Sequence, residues 1–302
     1  PISMGRRSRQ VFDDVWSQLQ RIGGPSRASA DFDDDLLPET FDAAQAEDSA
    51  VLVVGRTTGG RNGYGSKLTN IYSKEFEVLV KDPENQKQYT WKWEDNMQIQ
   101  RDSMDKKPKA YKGKDGEVRV TFRPDWKRFG MDTMSPDFVK LIEKRVWDTA
   151  ICQQGNLKVT LQGERIPVKK LLDYAKMHEG IENPVALSCD RWDVVVAPSN
   201  HTGFNQVSFV NGICTTKGGT HVDNVANCLS KDIITEMVKK KIDGADKLRP
   251  MNVKSSMFVF VKSTIINPSF SSQVKSELTT KAAEFGSNWK STPAFMKKVF
   301  PK

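Results

Sequence analysis

A glycine-rich segment near residue 60 has the residue types and spacing of a phosphate-binding loop. It reads Thr58-Gly59-Gly60-Arg61-Asn62-Gly63-Tyr64-Gly65-Ser66-Lys67 and is followed by apolar residues at helical spacing, namely Leu68, Ile71 and Tyr72. Glycine lets a backbone approach a ligand closely, and the N–H groups at a helix N-terminus attract anions. The segment therefore predicts a loop that opens a helix and holds a phosphate. A glycine-rich turn without a ligand is the alternative that this segment alone leaves open.

The segment differs from the two commonest phosphate-binding motifs. Gly60 and Gly65 have the spacing of the Walker A glycines, but Ser66-Lys67 arrive one residue late and in the wrong order. The dinucleotide motif G-x-G-x-x-G fails because Gly63-Tyr64-Gly65 has no third glycine at the required offset. The sequence also lacks a protein kinase signature, which excludes an ordinary small-molecule kinase.

Charge and composition indicate a globular protein with a basic surface. The 302 residues are 37% hydrophobic and 28% charged, and no apolar run approaches the roughly 18 residues of a membrane span. Residues 1–27 carry a net charge of +3, and residues 28–55 contain eight acidic and no basic residues. Because the whole chain has a net charge of +8, residues 56–302 must carry +13. This basic part suits a polyanionic partner such as nucleic acid, and no membrane partner is expected. Four widely spaced cysteines and three scattered histidines indicate neither zinc nor disulfides, which favours a reducing, intracellular compartment.

The composition changes abruptly near residue 56. None of the 31 lysines precedes Lys67, and no asparagine precedes Asn62. Residues 28–50 are acidic and typical of a poorly ordered segment. We therefore predict that residues 1–56 are a separate and partly disordered segment, unrelated to the sequence that follows.

Strands alternate with helices through the remainder of the chain. Alternating or continuous apolar residues predict strands at positions 76–80, 89–93, 117–122, 157–161, 191–197, 206–211 and 257–266. Ser135-Pro136 predicts the start of a helix that continues to about Ala150. The apolar face of that helix would consist of Phe138, Leu141, Ile142 and Val146. This alternation favours an α/β layered fold.

A second, longer helix is predicted from residue 220. Thr220-His221-Val222-Asp223 has the pattern of a capping box, in which the side chain of the first residue caps the helix. The apolar side of this helix would consist of Val222, Val225, Ala226, Leu229, Ile233 and Met237. The helix ends in Lys239-Lys240-Lys241. Cations in the last turn of a helix are favoured by its dipole, which alone can explain the lysines, and contact with a phosphate is a second interpretation.

Four blocks of sequence, in order, resemble the eukaryotic type II DNA topoisomerases. The blocks are TGGRNGYGSKLTNIYS at 58–73, RWDV at 191–194, FVN and TTKGGTHV within 209–222, and NPSFSSQVK at 267–275. The resemblance implies a truncated GHKL-type ATP-binding sandwich in residues 57–165, followed by a transducer domain in residues 166–302. It also implies an ATP-hydrolysing DNA topoisomerase of the nucleus, which relaxes supercoiled DNA by strand passage and is a homodimer when intact.

The resemblance assigns roles at two places in the chain. The glycine loop would wrap the ATP triphosphate and its lysine would meet the phosphates, through Gly60, Arg61, Asn62, Gly63, Tyr64, Gly65 and Lys67. Gln273 and Lys275 would reach the γ-phosphate, with Lys275 as the catalytic lysine, so that ATP closes one domain onto the other. A lysine is a mobile point charge suited to a terminal phosphate, and a contact that needs the γ-phosphate is a switch. The residue between them is Val274, where the family usually has threonine. Without the resemblance, the residue types alone would indicate a solvated loop.

Half of the family's ATP site has no counterpart in this sequence. The family uses an upstream glutamate to polarise water, an asparagine to hold Mg²⁺ and an aspartate in a D-x-G-x-G turn to bind adenine. Here no asparagine precedes Asn62 and no D-x-G-x-G occurs, so ATP and Mg²⁺ are implied as cofactors but no metal ligand is identified. Because phosphoryl transfer depends on the metal and on a positioned water, we expect weak ATP binding and negligible hydrolysis by this chain alone.

A second function stays open at the level of sequence, namely a basic DNA-binding or dimerising module that has lost its nucleotide chemistry. It rests on the charge of residues 56–302 and on lysine clusters at Lys106-Lys107, Lys239–Lys241 and Lys297-Lys298. Each cluster alone is equally typical of a solvated surface. Phosphate contacts release counterions, so a DNA affinity that does not respond to salt would contradict this function.

Overall fold

The structure, a computed structural model, describes residues 57, 60, 63–101, 107–153, 157–199 and 203–300. The prediction for residues 1–56 and the roles of Arg61 and Asn62 lie outside these described residues. The chain divides into two compact units between Ser135 and Pro136. The domain boundary after residue 165, which rests on family resemblance, stays a prediction.

The first unit is an antiparallel sheet with one helix beside it. Its elements are α1 Tyr64–Ile71, β1 Ser73–Asp82, β2 Lys87–Glu94, β3 Ile99–Gln100, β4 Lys109–Ala110 and β5 Glu117–Pro124. The sheet has the order β3-β2-β1-β5, and β4 pairs with β2. The three strands predicted in this region are confirmed, and each extends a few residues beyond its predicted bounds.

The alternation of side chains gives this sheet one apolar face. Phe76, Val78 and Val80 of β1 share that face with Trp91 and Trp93 of β2, and all five are at most 4% exposed. Their partners in register on β5 are 44–52% exposed, and these are Val118, Val120 and Phe122. The buried part of the core therefore lies on β1 and β2.

The second unit is a mixed sheet between two layers of helices. Its helices are α2 Pro136–Cys152, α3 Leu171–Ala175, α4 Thr220–Lys239, α5 Pro250–Lys254 and α6 Pro293–Val299. Its strands are β6 Thr160–Leu161, β7 Glu164–Arg165, β8 Val185–Cys189, β9 Trp192–Pro198, β10 Asn205–Val210, β11 Ile213–Cys214, β12 Gly218–Gly219, β13 Met257–Ser263 and β14 Glu277–Leu278. Five strands form the sheet β11-β10-β13-β9-β8, in which β10 and β13 are parallel. Two-stranded pairs are formed by β6 with β7 and by β12 with β14.

The two faces of the larger sheet carry separate apolar cores, because successive residues of a strand point to opposite sides. Val194 and Val261 pack on the face that α4 covers, where Leu229 of α4 is 0% exposed. Val195 and Phe260 pack on the other face, with residues of α2 and α3. The predicted α/β layered fold is confirmed in this unit, as is the buried side of α4.

The capping box predicted at the start of α4 is wrong. Gly219 is the residue before the helix, and no side chain caps the helix there. Thr220 already belongs to the helix, and its hydroxyl donates to the carbonyl oxygen of Thr280 at 2.6 Å. The hydroxyl is engaged by a distant part of the chain, which a local sequence pattern does not register.

Two further predictions need correction at their ends. The strand predicted at 157–161 is limited to Thr160–Leu161, where it forms a short hairpin with β7. The apolar face of α2 is buried only in its second half, where Ala150 and Ile151 are at most 5% exposed. In the first half the side chains are 37–46% exposed, and these are Phe138, Leu141 and Ile142.

Candidate phosphate-binding site

The glycine loop leads directly into helix α1, as its sequence predicts. Gly63 immediately precedes the helix with a φ of 69°, in the left-handed region that glycine adopts without strain. The N–H groups in the first turn of an α-helix have no partner within the helix, and the dipole is positive there. Lys67 lies one turn into α1 and is exposed. Backbone donors, a helix N-terminus and a cation therefore occur together at one end of α1, as a bound phosphate requires.

Gly65 has no neighbour among the described residues that would require glycine at this position. It lies in the first turn of α1, where glycine costs about 1 kcal/mol relative to alanine. A Cβ atom at Gly65 would meet no atom of the described residues within 4 Å, and the same is true at Gly60. Packing among the described residues therefore requires glycine at neither position. A ligand that approaches the backbone closely would supply the reason.

The opposite end of α1 is fixed by polar contacts to the sheet. Nδ2 of Asn96 donates to the carbonyl oxygen of Ile71 at 3.0 Å and to the carboxylate of Asp125 at 3.2 Å. The backbone N–H of Asp125 donates to the carbonyl oxygen of Tyr72 at 2.8 Å. Burial raises the pKa of Asp125, but hydrogen bonds from Lys74 and Asn96 outweigh it, and the pKa lies below its ordinary value. The side chain of Asn96 and the backbone of Asp125 thus hold the C-terminal end of α1, and the ionised carboxylate of Asp125 orients Asn96.

The second predicted phosphate contact lies at the tip of a loop that spans residues 270–278. Phe270 and Leu278 pair through a single antiparallel bridge at its base. At its tip the N–H of Lys275 donates to the carbonyl oxygen of Ser272 at 3.0 Å, which closes a turn. The loop therefore presents residues 273–275 at the end of a narrow, hydrogen-bonded structure.

The backbone of Lys275 is held in an unusual conformation. Its φ is 60°, in the left-handed region where a residue with a side chain is strained. Such strain persists only where the surrounding contacts enforce it, and it is typical of functional sites. Val274 beside it is 81% exposed, and Gln273 is exposed as well. The tip thus presents a strained, half-buried lysine directly after two exposed residues.

Most of the residues predicted for the site fall into these two groups, each within one unit. The first unit holds Gly60, Gly63, Tyr64, Gly65 and Lys67, of which Tyr64 is 47% exposed. The second unit holds Gln273 and Lys275. Their roles in binding ATP stay predictions.

One set of contacts near Lys275 was missed at the level of sequence. Residues 215–221 lie in one of the resembling blocks, but no role was assigned to them. In the structure Gly218–Gly219 pair with Glu277–Leu278, just beyond Lys275. Two consecutive glycines immediately before a helix were the available signal, since glycine permits a close approach between backbones.

The described residues do not provide a metal site. Within residues 63–101, 107–153, 157–199 and 203–300, no group of three or more His, Cys, Asp and Glu side chains could hold a metal ion. The ligand of the Mg²⁺ that the family resemblance implies therefore stays unassigned among these residues. Over the same residues, no helix has both the length and the apolar character needed to cross a membrane.

The lysine triplet at the end of α4 makes contacts within the chain. Lys239 forms an ion pair with Glu236 at 2.8 Å, and Nζ of Lys240 donates to the carbonyl oxygen of Phe300 at 3.0 Å. These contacts agree with the interpretation as ordinary helix termination. They weaken the case for a triplet dedicated to nucleic acid phosphates.

Comparisons with known proteins place the chain near one group of enzymes. The family model described as DNA gyrase B matches residues 137–299. The chain is 40% identical over 258 residues to the DNA topoisomerase 2 of Arabidopsis thaliana, which covers 82% of this chain and 17% of that protein. The chain therefore spans about a sixth of the length of this curated relative.

Two crystal structures show the same fold. The ATPase region of Saccharomyces cerevisiae topoisomerase II matches with a TM-score of 0.75 and 32% identity, over 94% of this chain and 68% of that one. The ATPase and transducer domains of DNA topoisomerase II from Balamuthia mandrillaris match with a TM-score of 0.75 and 33% identity, over 93% of this chain and 67% of that one. These matches confirm the expected fold, an ATPase sandwich followed by a transducer domain.

Proposed function

The chain belongs to the DNA gyrase B family, in the part that forms the ATPase region of topoisomerase II, and from this premise we propose that it serves an ATP-dependent type II DNA topoisomerase. The whole enzyme would bind ATP and Mg²⁺ and relax supercoiled DNA by strand passage, as a homodimer in the nucleus. Within this chain we assign residues 57–165 to the ATP-binding domain and residues 166–302 to the transducer domain. The observation that carries the proposal is the start of α1, with its left-handed Gly63, the open space at Gly65 and the exposed Lys67.

Two groups of residues contribute to phosphate recognition in this proposal. The first turn of α1 donates backbone N–H groups to the phosphates, and Lys67 adds a charge-assisted hydrogen bond, which is stronger than a neutral one. Lys275 and Gln273 contact the terminal phosphate. Because ADP lacks that phosphate, the contact of Lys275 distinguishes ATP from ADP.

Hydrolysis by this chain alone should be negligible. Phosphoryl transfer needs charge neutralisation by a metal and a positioned water. The described residues supply no metal site, and the sequence contains no D-x-G-x-G turn to hold adenine. Turnover of ATP at the rate of an intact ATPase region would contradict this expectation.

The test is a titration with AMP-PNP, a non-hydrolysable ATP analogue, by calorimetry with and without Mg²⁺. Lys67→Ala should weaken binding by about tenfold, because it removes a charge-assisted hydrogen bond. Lys87→Ala is the matched control, since it removes the same charge from an exposed position at the start of β2, where Lys87 pairs with Asp82 at the end of β1. The control should stay within about twofold of wild type.

Two outcomes of this titration would change the proposal. Equal affinity of wild type and Lys67→Ala would remove the phosphate role of α1. Binding that requires Mg²⁺ would contradict the expectation that this chain lacks a metal site.

A further inference from the structure

We propose that residues 215–221 form a platform that positions Lys275, with Gly219 as the positioning residue at its centre. The inference rests on the proposed function, because it takes Lys275 as the contact to the γ-phosphate. It assigns a role to a segment that makes no contact with ATP in that proposal.

The platform runs alongside the residues that follow Lys275. The backbone N–H of Lys217 donates to the carbonyl oxygen of Ser276 at 2.9 Å. The next two residues, Gly218–Gly219, pair in parallel with Glu277–Leu278. Three consecutive residues of the platform therefore hold the three residues that lead away from the tip of the loop.

Gly219 permits a close approach to the backbone of Leu278 that a residue with a side chain would not allow. Its φ is 128°, and a Cβ atom at this position would lie 2.3 Å from the carbonyl oxygen of Leu278 and 2.6 Å from its nitrogen. Both distances are far shorter than any contact that a real Cβ atom makes, and both neighbours are backbone atoms that cannot rotate away. A side chain at residue 219 would therefore push β14 away, together with the loop that carries Lys275.

The platform is itself fixed by a chain of buried hydroxyl and imidazole groups. The hydroxyls of Ser208 and Thr215 lie 2.6 Å apart, and Oγ1 of Thr215 lies 3.2 Å from Nε2 of His221. All three side chains are at most 1% exposed, so that no water competes for these hydrogen bonds. These hydrogen bonds connect β10 of the central sheet with the first turn of α4. The platform is thus anchored to the central sheet and in turn positions the loop.

A second connection joins the start of α4 to the base of the loop. The hydroxyl of Thr220 donates to the carbonyl oxygen of Thr280 at 2.6 Å. The hydroxyl of Thr280 in turn accepts from the backbone N–H of Ser269 at 2.8 Å, which ties the two ends of the loop together. These contacts hold the base of the loop whose tip carries the strained backbone of Lys275.

The principal test compares Gly219→Ala with Gly212→Ala. Gly212 has a φ of 81°, and a Cβ atom there would meet no atom of the described residues within 4 Å, so the control also places alanine at a positive φ but without the collision. The first measurement is hydrogen–deuterium exchange of residues 270–278 without nucleotide. The second is the ratio of AMP-PNP affinity to ADP affinity. Gly219→Ala should accelerate the exchange and lower the ratio by about tenfold, whereas Gly212→Ala should change neither.

Thr220→Val provides a milder test that leaves the backbone at residue 219 unchanged. It removes the hydrogen bond to Thr280 and should change both measurements in the same direction by about threefold. If Gly219→Ala fails to fold, this variant decides the question. Wild-type exchange and a wild-type affinity ratio in Thr220→Val and in any folded Gly219→Ala would overturn the proposal.

A double variant separates positioning from general damage to the fold. If Gly219 acts through Lys275, then Gly219→Ala should not lower the affinity ratio further in the Lys275→Ala background. Additive losses would contradict positioning. If Lys275→Ala leaves the ratio unchanged while Gly219→Ala accelerates exchange, the γ-phosphate role fails and the platform is retained as the support of the loop.

Discussion

The two predicted phosphate contacts use glycine for opposite purposes. At the start of α1 the space around Gly65 is open, and the described polar contacts fix the other end of the helix. At the loop of residues 270–278, Gly219 is pressed against the backbone of Leu278. The space at Gly65 is open among the described residues, whereas Gly219 allows two stretches of backbone to pack closely. The same residue type thus occupies an open position in one region and a close backbone contact in the other.

The largest expected difference between the two regions is in the dependence of stability on pH. All three histidines follow residue 135, so none of them lies in the unit that contains α1. Burial lowers the pKa of His221 to about 3, against a weaker opposing effect of Asp223. The unfolded chain protonates this histidine near pH 6.5, while the folded chain does not, so stability falls as the pH decreases from 6.5 toward 3. The loss should reach about 2 kcal/mol at pH 5.

Urea unfolding between pH 7 and pH 5 measures this loss. His221→Gln should show a clearly shallower decline of stability with decreasing pH than wild type. If stability declined equally with decreasing pH in wild type and in His221→Gln, His221 would not be the cause of the acid sensitivity.

The next largest effect is expected for Lys275→Ala. It should weaken AMP-PNP binding by about thirtyfold and change ADP binding by less than about twofold, because the lost contact involves only the terminal phosphate. Lys281→Ala removes the same charge from an exposed site six residues away and serves as the control. Lys67→Ala should weaken the binding of both nucleotides. Equal losses for ADP and AMP-PNP in Lys275→Ala would remove this distinction between the two regions.

Alanine substitutions at the two kinds of glycine should have opposite effects on stability. Gly65→Ala should raise the free energy of unfolding by about 0.5–1 kcal/mol, because alanine favours the helix, while it weakens AMP-PNP binding. Gly219→Ala should lower the free energy of unfolding because of its collision with Leu278. Thermal unfolding with parallel titrations measures both quantities. A Gly65→Ala variant that loses stability would show that this glycine serves packing after all.

The smallest effect is expected for Val274→Thr, which introduces the residue usual in the family. Val274 is 81% exposed, so the free energy of unfolding should change by less than about 0.5 kcal/mol. AMP-PNP affinity should stay within about twofold of wild type. A larger change in affinity would show that this side chain, and not only its neighbours at the tip, takes part in recognition.

Features that depend on neighbouring residues could be predicted from the amino-acid sequence. Alternating residues predicted β1, β2 and β5, and the spacing of glycines before an apolar helical pattern predicted that the loop opens α1. The buried side of α4 followed from helical periodicity in the same way. Such patterns succeed because the geometry of a strand or a helix is set within a few residues.

Contacts between distant segments became apparent only in the folded structure. Thr220 has the sequence pattern of a helix cap, but its hydroxyl bonds to Thr280, sixty residues away in the chain. The first half of α2 has the pattern of a buried face, yet its apolar side chains are 37–46% exposed. The role of Gly219 depends on the backbone of Leu278. A local pattern specifies which side of an element is apolar or polar, whereas the partner on that side is set by the path of the whole chain.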